Sequence, residues 1–186
     1  MPFIQIIEPE EAHGNLKDIY NAILKSRGKI AEIHKIQSLH PESITAHMGL
    51  YMSIMFGRSP LRRVQREMMA VVVSSANKCD YCIRHHGAAL MHFWKDAARV
   101  RVLSQDYTGA GLPAADLALC EFAEVLTRNP QRTNAEKTAR HLLKKHFNDR
   151  GILDAALTVS YFNFVNRMAL SLGVGLEADP SGYKYE

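Results

Sequence analysis

The chain of 186 residues has no long hydrophobic run: its longest uninterrupted apolar stretch is Met68 to Val73. That is far short of the roughly 20 residues that cross a bilayer as a helix, so no membrane partner is expected. The opening residues, MPFIQIIEPEEAHGN, meet acids early and lack both a basic start and a long apolar segment. A secretory signal is therefore not expected, and a cytoplasmic location is. Three cysteines are too few for a disulfide framework. Gly/Ser linkers and low-complexity tracts are missing, which leaves a single domain over 1–186, with 177–186 as a tail and any second core small. Aromatic residues make up 8% and do not interleave with the basic groups Arg62, Arg63, Arg66, Arg99, Arg101, Lys144 and Lys145. The net charge of +4 thus reads as solvated helix faces, and no nucleic acid is expected as a partner.

What is present is a globular composition, 47% hydrophobic and 23% charged, with apolar residues recurring at three and four positions. This periodicity predicts an all-α fold, with helices over 9–26, 41–56, 60–76, 79–103 with a break near Lys95, 113–128, 133–147 and 151–172. Ser59 before Pro60 reads as an N-cap and first-turn proline, Pro113 opens another run, and Thr133 with Glu136 forms a capping-box pattern. Gly57, Gly111 and Gly173 fall at joints. Short loops between the helices imply antiparallel neighbours.

The most informative segment is Cys79-Asp80-Tyr81-Cys82-Ile83-Arg84-His85-His86, two thiols and two imidazoles in eight residues. On a helix starting near Cys79, residues three apart share a face with α-carbons about 5 Å apart, a separation a disulfide can bridge. His86 lies four residues beyond Cys82, so its ring can reach the sulfur, while His85 points about 100° away. Upstream, Glu67 is the one carboxylate in a strongly apolar helix and needs a partner. If the chain reverses at Asn77 and Lys78, Glu67 lies roughly 15 Å back along one helix and His86 roughly 12 Å along the next, which sets them face to face. A chain Glu67–His86–Cys82–Cys79 follows, in which the carboxylate orients an imidazole that removes a thiol proton.

A helix N-terminus beside Lys78 favours a thiolate, and a thiolate attacks peroxide. Attack by Cys82 gives a sulfenic acid, which Cys79 then converts to a disulfide. His85 and His92 read as surface or packing residues and Cys120 as a core thiol. Cys79, Cys82 and His86 are also good zinc ligands, although no fourth ligand stands at suitable spacing.

Glu67, the twelve-residue step to Cys79, then Cys82 and His86 resemble the AhpD-like alkylhydroperoxidase and carboxymuconolactone decarboxylase superfamily. LPAADLALCEFAEVLTRNP and YFNFVNRMALSLGV extend the likeness to its peroxidase-related branch, over residues 10 to 176. The resemblance implies an AhpD-like helical subunit, with a CxxC dithiol on an antiparallel helix pair, that assembles as a homo-oligomer of two, three or six copies. It further implies Cys82 as attacking thiol, Cys79 as resolving thiol and Glu67 with His86 as proton relay, with a lipoyl or other dithiol protein as reductant. Tyr81 departs from the pattern, since AhpD proper has histidine there and a phenol of pKa about 10 is no base at neutral pH.

The expectation is an oligomeric, antioxidant thiol peroxidase that reduces hydroperoxides through a redox-active disulfide and needs no bound cofactor. The alternatives are a zinc-binding or scaffold protein and a lactone-decarboxylase-like enzyme using Glu67 and His86. A second cluster, Asn163, Asn166 and Arg167 among Tyr161, Phe162 and Phe164, must be hydrogen-bonded if buried, and reads as structural, at a subunit interface, or as pocket lining.

Overall fold

The computed structural model describes residues 2–134, 139–177 and 179–183. Among them there is no strand, and nine α-helices account for the chain: α1 (Gly14–Arg27), α2 (Glu32–Lys35), α3 (Pro41–Phe56), α4 (Arg63–Ala76), α5 (Asp80–Trp94), α6 (Ala97–Gln105), α7 (Ala114–Arg128), α8 (Ala139–Lys144) and α9 (Asp149–Leu172). The all-α expectation holds. No helix among the described residues is long and apolar enough to cross a membrane.

The α4 sequence explains its place. Met68 to Val73 are apolar on every side, a pattern that suits only a helix enclosed by others. All six are almost fully buried, and α5, α6, α7 and α9 pack around them. β-branched valines cost a little helix propensity, which enclosure on all sides outweighs. A smaller separate cluster of Ala12, Leu16, Tyr20, Ile23 and Ile44 joins α1 to α3.

Several ends differ from the sequence reading. Ser59 Oγ accepts from the Leu61 N–H within the preceding turn, and α4 begins three residues later than expected, with Gln65 Oε1 accepting from Arg62 N–H. Arg66 completes the α3–α4 joint by donating to the carbonyls of Ile54, Gly57 and Leu61. The predicted break near Lys95 is real: Lys95 has φ 54° and separates α5 from α6. The four-residue α2 was missed because it is too short to show a period. Of the Thr133–Glu136 capping box, Glu136 lies outside the described residues.

The turn from α4 to α5 sits where predicted, with Asn77 ending α4 and Lys78 at φ 56°. A lysine in this left-handed region is disfavoured, so the turn depends on being tied down. Asn77 Nδ2 donates to Asn163 Oδ1 at 3.0 Å and to Asn166 Oδ1 at 2.9 Å, both on α9. Arg167 Nη1 donates to Asn163 Oδ1 at 2.7 Å, and Asn163 Nδ2 reaches Thr127 Oγ1. The polar cluster of α9 therefore clamps the turn that presents Cys79. Asn77→Ala should lower the unfolding free energy by about 1–3 kcal/mol, because Asn166 Oδ1 then loses its donor. Asn77→Asp, which sets a carboxylate against two amide oxygens, should cost more in urea titrations.

Candidate functional site

Glu67 is 0% exposed, and two side chains neutralise it. Arg63, one turn earlier on α4, donates from Nε to Glu67 Oε1 at 2.9 Å and also from Nη2. From α5, His86 Nδ1 lies 2.7 Å from Glu67 Oε2. Burial alone would raise the Glu67 pKa, but the charge and hydrogen bond of His86, with those of Arg63, hold it below its ordinary value. Glu67 is therefore a carboxylate and His86 Nδ1 carries the hydrogen, which leaves Nε2 as the chemically active ring nitrogen. The expected meeting of Glu67 and His86 across the α4–α5 pair is present. Arg63 was passed over as one of several scattered cations, although its i,i+4 spacing to Glu67 was visible in the sequence.

Cys79 is the N-cap of α5 and Cys82 lies in its first turn, both buried and both free thiols. Among the described residues no hydrogen bond joins the His86 ring to the Cys82 sulfur; His86 turns its Nδ1 to Glu67 instead. The Cys79 thiol is shifted down because it receives the Cys82 S–H, and the Cys82 thiol is shifted up by that same bond and by burial. Cys120, fully buried, is the core thiol it was read to be.

A cleft opens onto this group. Cys82 lines it and Cys79 does not, as do Glu67, His86, Tyr51, Phe162 and Val165. The Phe162 ring meets His86 edge-on at 4.4 Å, which fixes the imidazole plane. Among the described residues, no three His, Cys, Asp or Glu side chains converge in a way that could hold a metal ion.

Of the two readings of His85, surface or packing, the second holds: its ring lies 4.4 Å from that of Tyr81, and it also lines the cleft. Both turn toward Glu177, which the sequence placed in a tail. Glu177 Oε1 accepts from the Glu32 N–H at 3.0 Å and the Tyr81 hydroxyl at 3.3 Å, and lies 3.3 Å from His85 Nε2. Tyr183 donates to its other oxygen at 2.9 Å. Tyr81 in turn accepts from the Ile33 N–H at 3.1 Å. Burial raises the Tyr81 pKa well above its ordinary value, so this residue anchors α2 and the C-terminal segment and takes no part as a base. Residues this distant in sequence gave no local signal.

The family model of the carboxymuconolactone decarboxylase family matches residues 41–124, which hold Glu67, Cys79, Cys82 and His86. A peroxidase-related protein from Silicibacter sp. TM1040 is 30% identical, over 100% of this chain and 93% of its own, with a TM-score of 0.82. An alkylhydroperoxidase AhpD core, a peroxidase-related protein from Ralstonia eutropha JMP134, is similar over 98% of both chains at 21% identity and TM-score 0.85. The debrominase Bmp8 covers 94% of this chain and 92% of its own at 18% identity and TM-score 0.78. The last two show a shared fold. The chain belongs to the AhpD-like, carboxymuconolactone decarboxylase superfamily, a family of peroxidase-related enzymes.

Glu177 gives this site an acid limit. Burial raises its pKa, but the His85 ring 3.3 Å away and the hydrogen bond from the Glu32 N–H outweigh that and bring it to about 2, against an ordinary 4.5. A depressed carboxylate stabilises the fold fully above its unfolded pKa and loses that contribution as pH falls toward the folded one. Between pH 4.5 and about 2, wild-type urea midpoints should therefore fall more steeply than those of Glu177→Gln.

Proposed function

We propose that this protein is a thiol-dependent peroxidase that reduces an organic hydroperoxide through Cys82 and Cys79. The observation that carries the reading is the placement of Cys82 on the cleft beside His86, with the buried Glu67 carboxylate behind the imidazole. The dithiol first gives one proton to His86 Nε2, and the proton left on the pair moves from Cys82 to Cys79, whose thiol is the one shifted down. The Cys82 thiolate then attacks the distal peroxide oxygen, the O–O bond breaks, and protonated His86 gives its Nε2 proton to the departing alkoxide. Sulfenic acid and alcohol result. Cys79 sulfur next displaces the sulfenic oxygen as water, forming the disulfide. An external dithiol, of lipoyl type by family resemblance, restores both thiols by exchange and leaves as its own disulfide.

In this scheme His86 supplies a proton to the leaving group, and Glu67 fixes the tautomer and stabilises the imidazolium. Cys82→Ser should abolish turnover, and Glu67→Gln should slow it by about 10² to 10⁴ with the alkylated-thiol background unchanged. Intact mass measurements on reduced protein given one equivalent of an organic hydroperoxide should show loss of two hydrogens, mapped to a Cys79–Cys82 bridge. Full activity in Cys82→Ser would overturn the reading.

The working form is proposed to be a homo-oligomer. Leu153, Leu157 and Phe164 are 54%, 41% and 45% exposed on one face of α9, an apolar stripe that self-association would cover. Sedimentation should give a mass that is a multiple of 20.9 kDa, reduced by Leu157→Glu.

A further inference from the structure

The cleft carries a second set of polar groups that peroxide reduction does not use, contributed by α1, α2, α3 and α9. Arg27, the last residue of α1, is only 6% exposed and lines the cleft. Its guanidinium lies 4.7 Å from the Phe56 ring centre and 5.5 Å from that of Tyr51. Those faces hold the cation but accept few of its N–H groups, and among the described residues no hydrogen bond or ion pair takes them up. The carboxylate that lines the same cleft, Glu67, is already held by Arg63 and His86. A guanidinium this enclosed ordinarily has an anionic partner.

The groups beside it are arranged to donate as well. Gln37 Nε2 donates to the Ile33 carbonyl at 2.7 Å, and since a carbonyl can only accept, this end of the amide is the nitrogen. Its second N–H goes to His47 Nδ1 at 2.8 Å. His47 therefore carries its hydrogen on Nε2 and donates it to the Tyr161 oxygen at 2.7 Å. With that oxygen occupied as an acceptor, the Tyr161 O–H is left to donate, and Tyr161 lines the cleft. Next in the row, the ring of His34 meets His47 edge-on at 5.5 Å, and its buried Nδ1 has no hydrogen-bond partner among the described residues. Burial holds His47 down to about 4 and His34 to about 3, so both rings are neutral at pH 7 and the single formal charge in this row is that of Arg27.

We infer that this end of the cleft binds an anionic oxygen group, and that the substrate is an organic acid whose carboxylate is held by Arg27 and Tyr161. The apolar walls at Tyr51, Phe162 and Val165 then take its hydrocarbon body, and the reactive end reaches Cys82. The reactive end rests on the peroxidase reading; the carboxylate site does not.

The test is calorimetric titration of the reduced wild-type protein with octanoate and with octanamide, which have the same shape and differ in charge. Octanoate should bind about tenfold tighter or better. Arg27→Gln, checked for folding by circular dichroism, should bring the two ligands level, and Arg27→Lys should keep part of the preference because charge remains without the planar fork. Equal wild-type affinities, no binding of either ligand below about 10 mM, or a preference unchanged in Arg27→Gln would overturn the inference. Peroxide assays separate it from the reading it extends. Selective octanoate binding with no hydroperoxide turnover would remove the peroxidase and keep the site, whereas turnover with no carboxylate preference in binding would do the reverse.

Discussion

A carboxylate buried without water is tolerated only if its charge is met at close range, and Glu67 sets that condition for the whole molecule. It sits on the most enclosed face of α4, so its partners must come from neighbours that are themselves fixed. Arg63 meets it from the same helix, one turn away, and is itself stacked with its guanidinium carbon 3.8 Å from the Phe56 ring centre on α3. His86 meets it from α5 and is held edge-on by Phe162 of α9. Four helices are thereby brought into register around one negative charge. The same contact that makes the charge affordable also sets the imidazole tautomer, so the stability requirement and the chemical one coincide.

The α4–α5 turn is the second constraint. Its reversal places Cys79 at a helix N-terminus, where a thiolate is favoured, and hands Cys82 to the cleft side. The residue at φ 56° in this turn is a lysine rather than a glycine, and it is held by an amide network from Asn163 and Asn166. Asn166 also faces the Cys82 sulfur. The amides of α9 thus act on the thiol pair twice, by shaping the turn and by offering a donor to one of its sulfurs.

The cleft divides its walls by origin. Helices α4 and α5 bring Glu67, Cys82 and His86, and the N-terminal helices with α9 bring Arg27, His34, His47 and Tyr161. Tyr81 and Glu177 join the two parts to the C-terminal segment. The phenol at this position, which departs from AhpD proper, is used here as a structural tie, with its proton retained well past neutral pH.

Local pattern was enough for the helices around the site. The apolar run of α4, the Cys79–Cys82–His86 spacing and a carboxylate stranded at Glu67 together require a helical hairpin with that carboxylate facing that imidazole, because 3.6-residue periodicity fixes which side chains share a face. The likeness of residues 41–124 to one family rests on that segment. Nothing local could show that the Cys82 sulfur faces Asn166, that Gln37 orders His47 and Tyr161, that His85 turns inward, or that Glu177 returns to Tyr81. Those contacts join residues separated by tens of positions along the chain, and only the packing of α1, α3 and the C-terminal segment against α5 and α9 brings them within hydrogen-bonding distance.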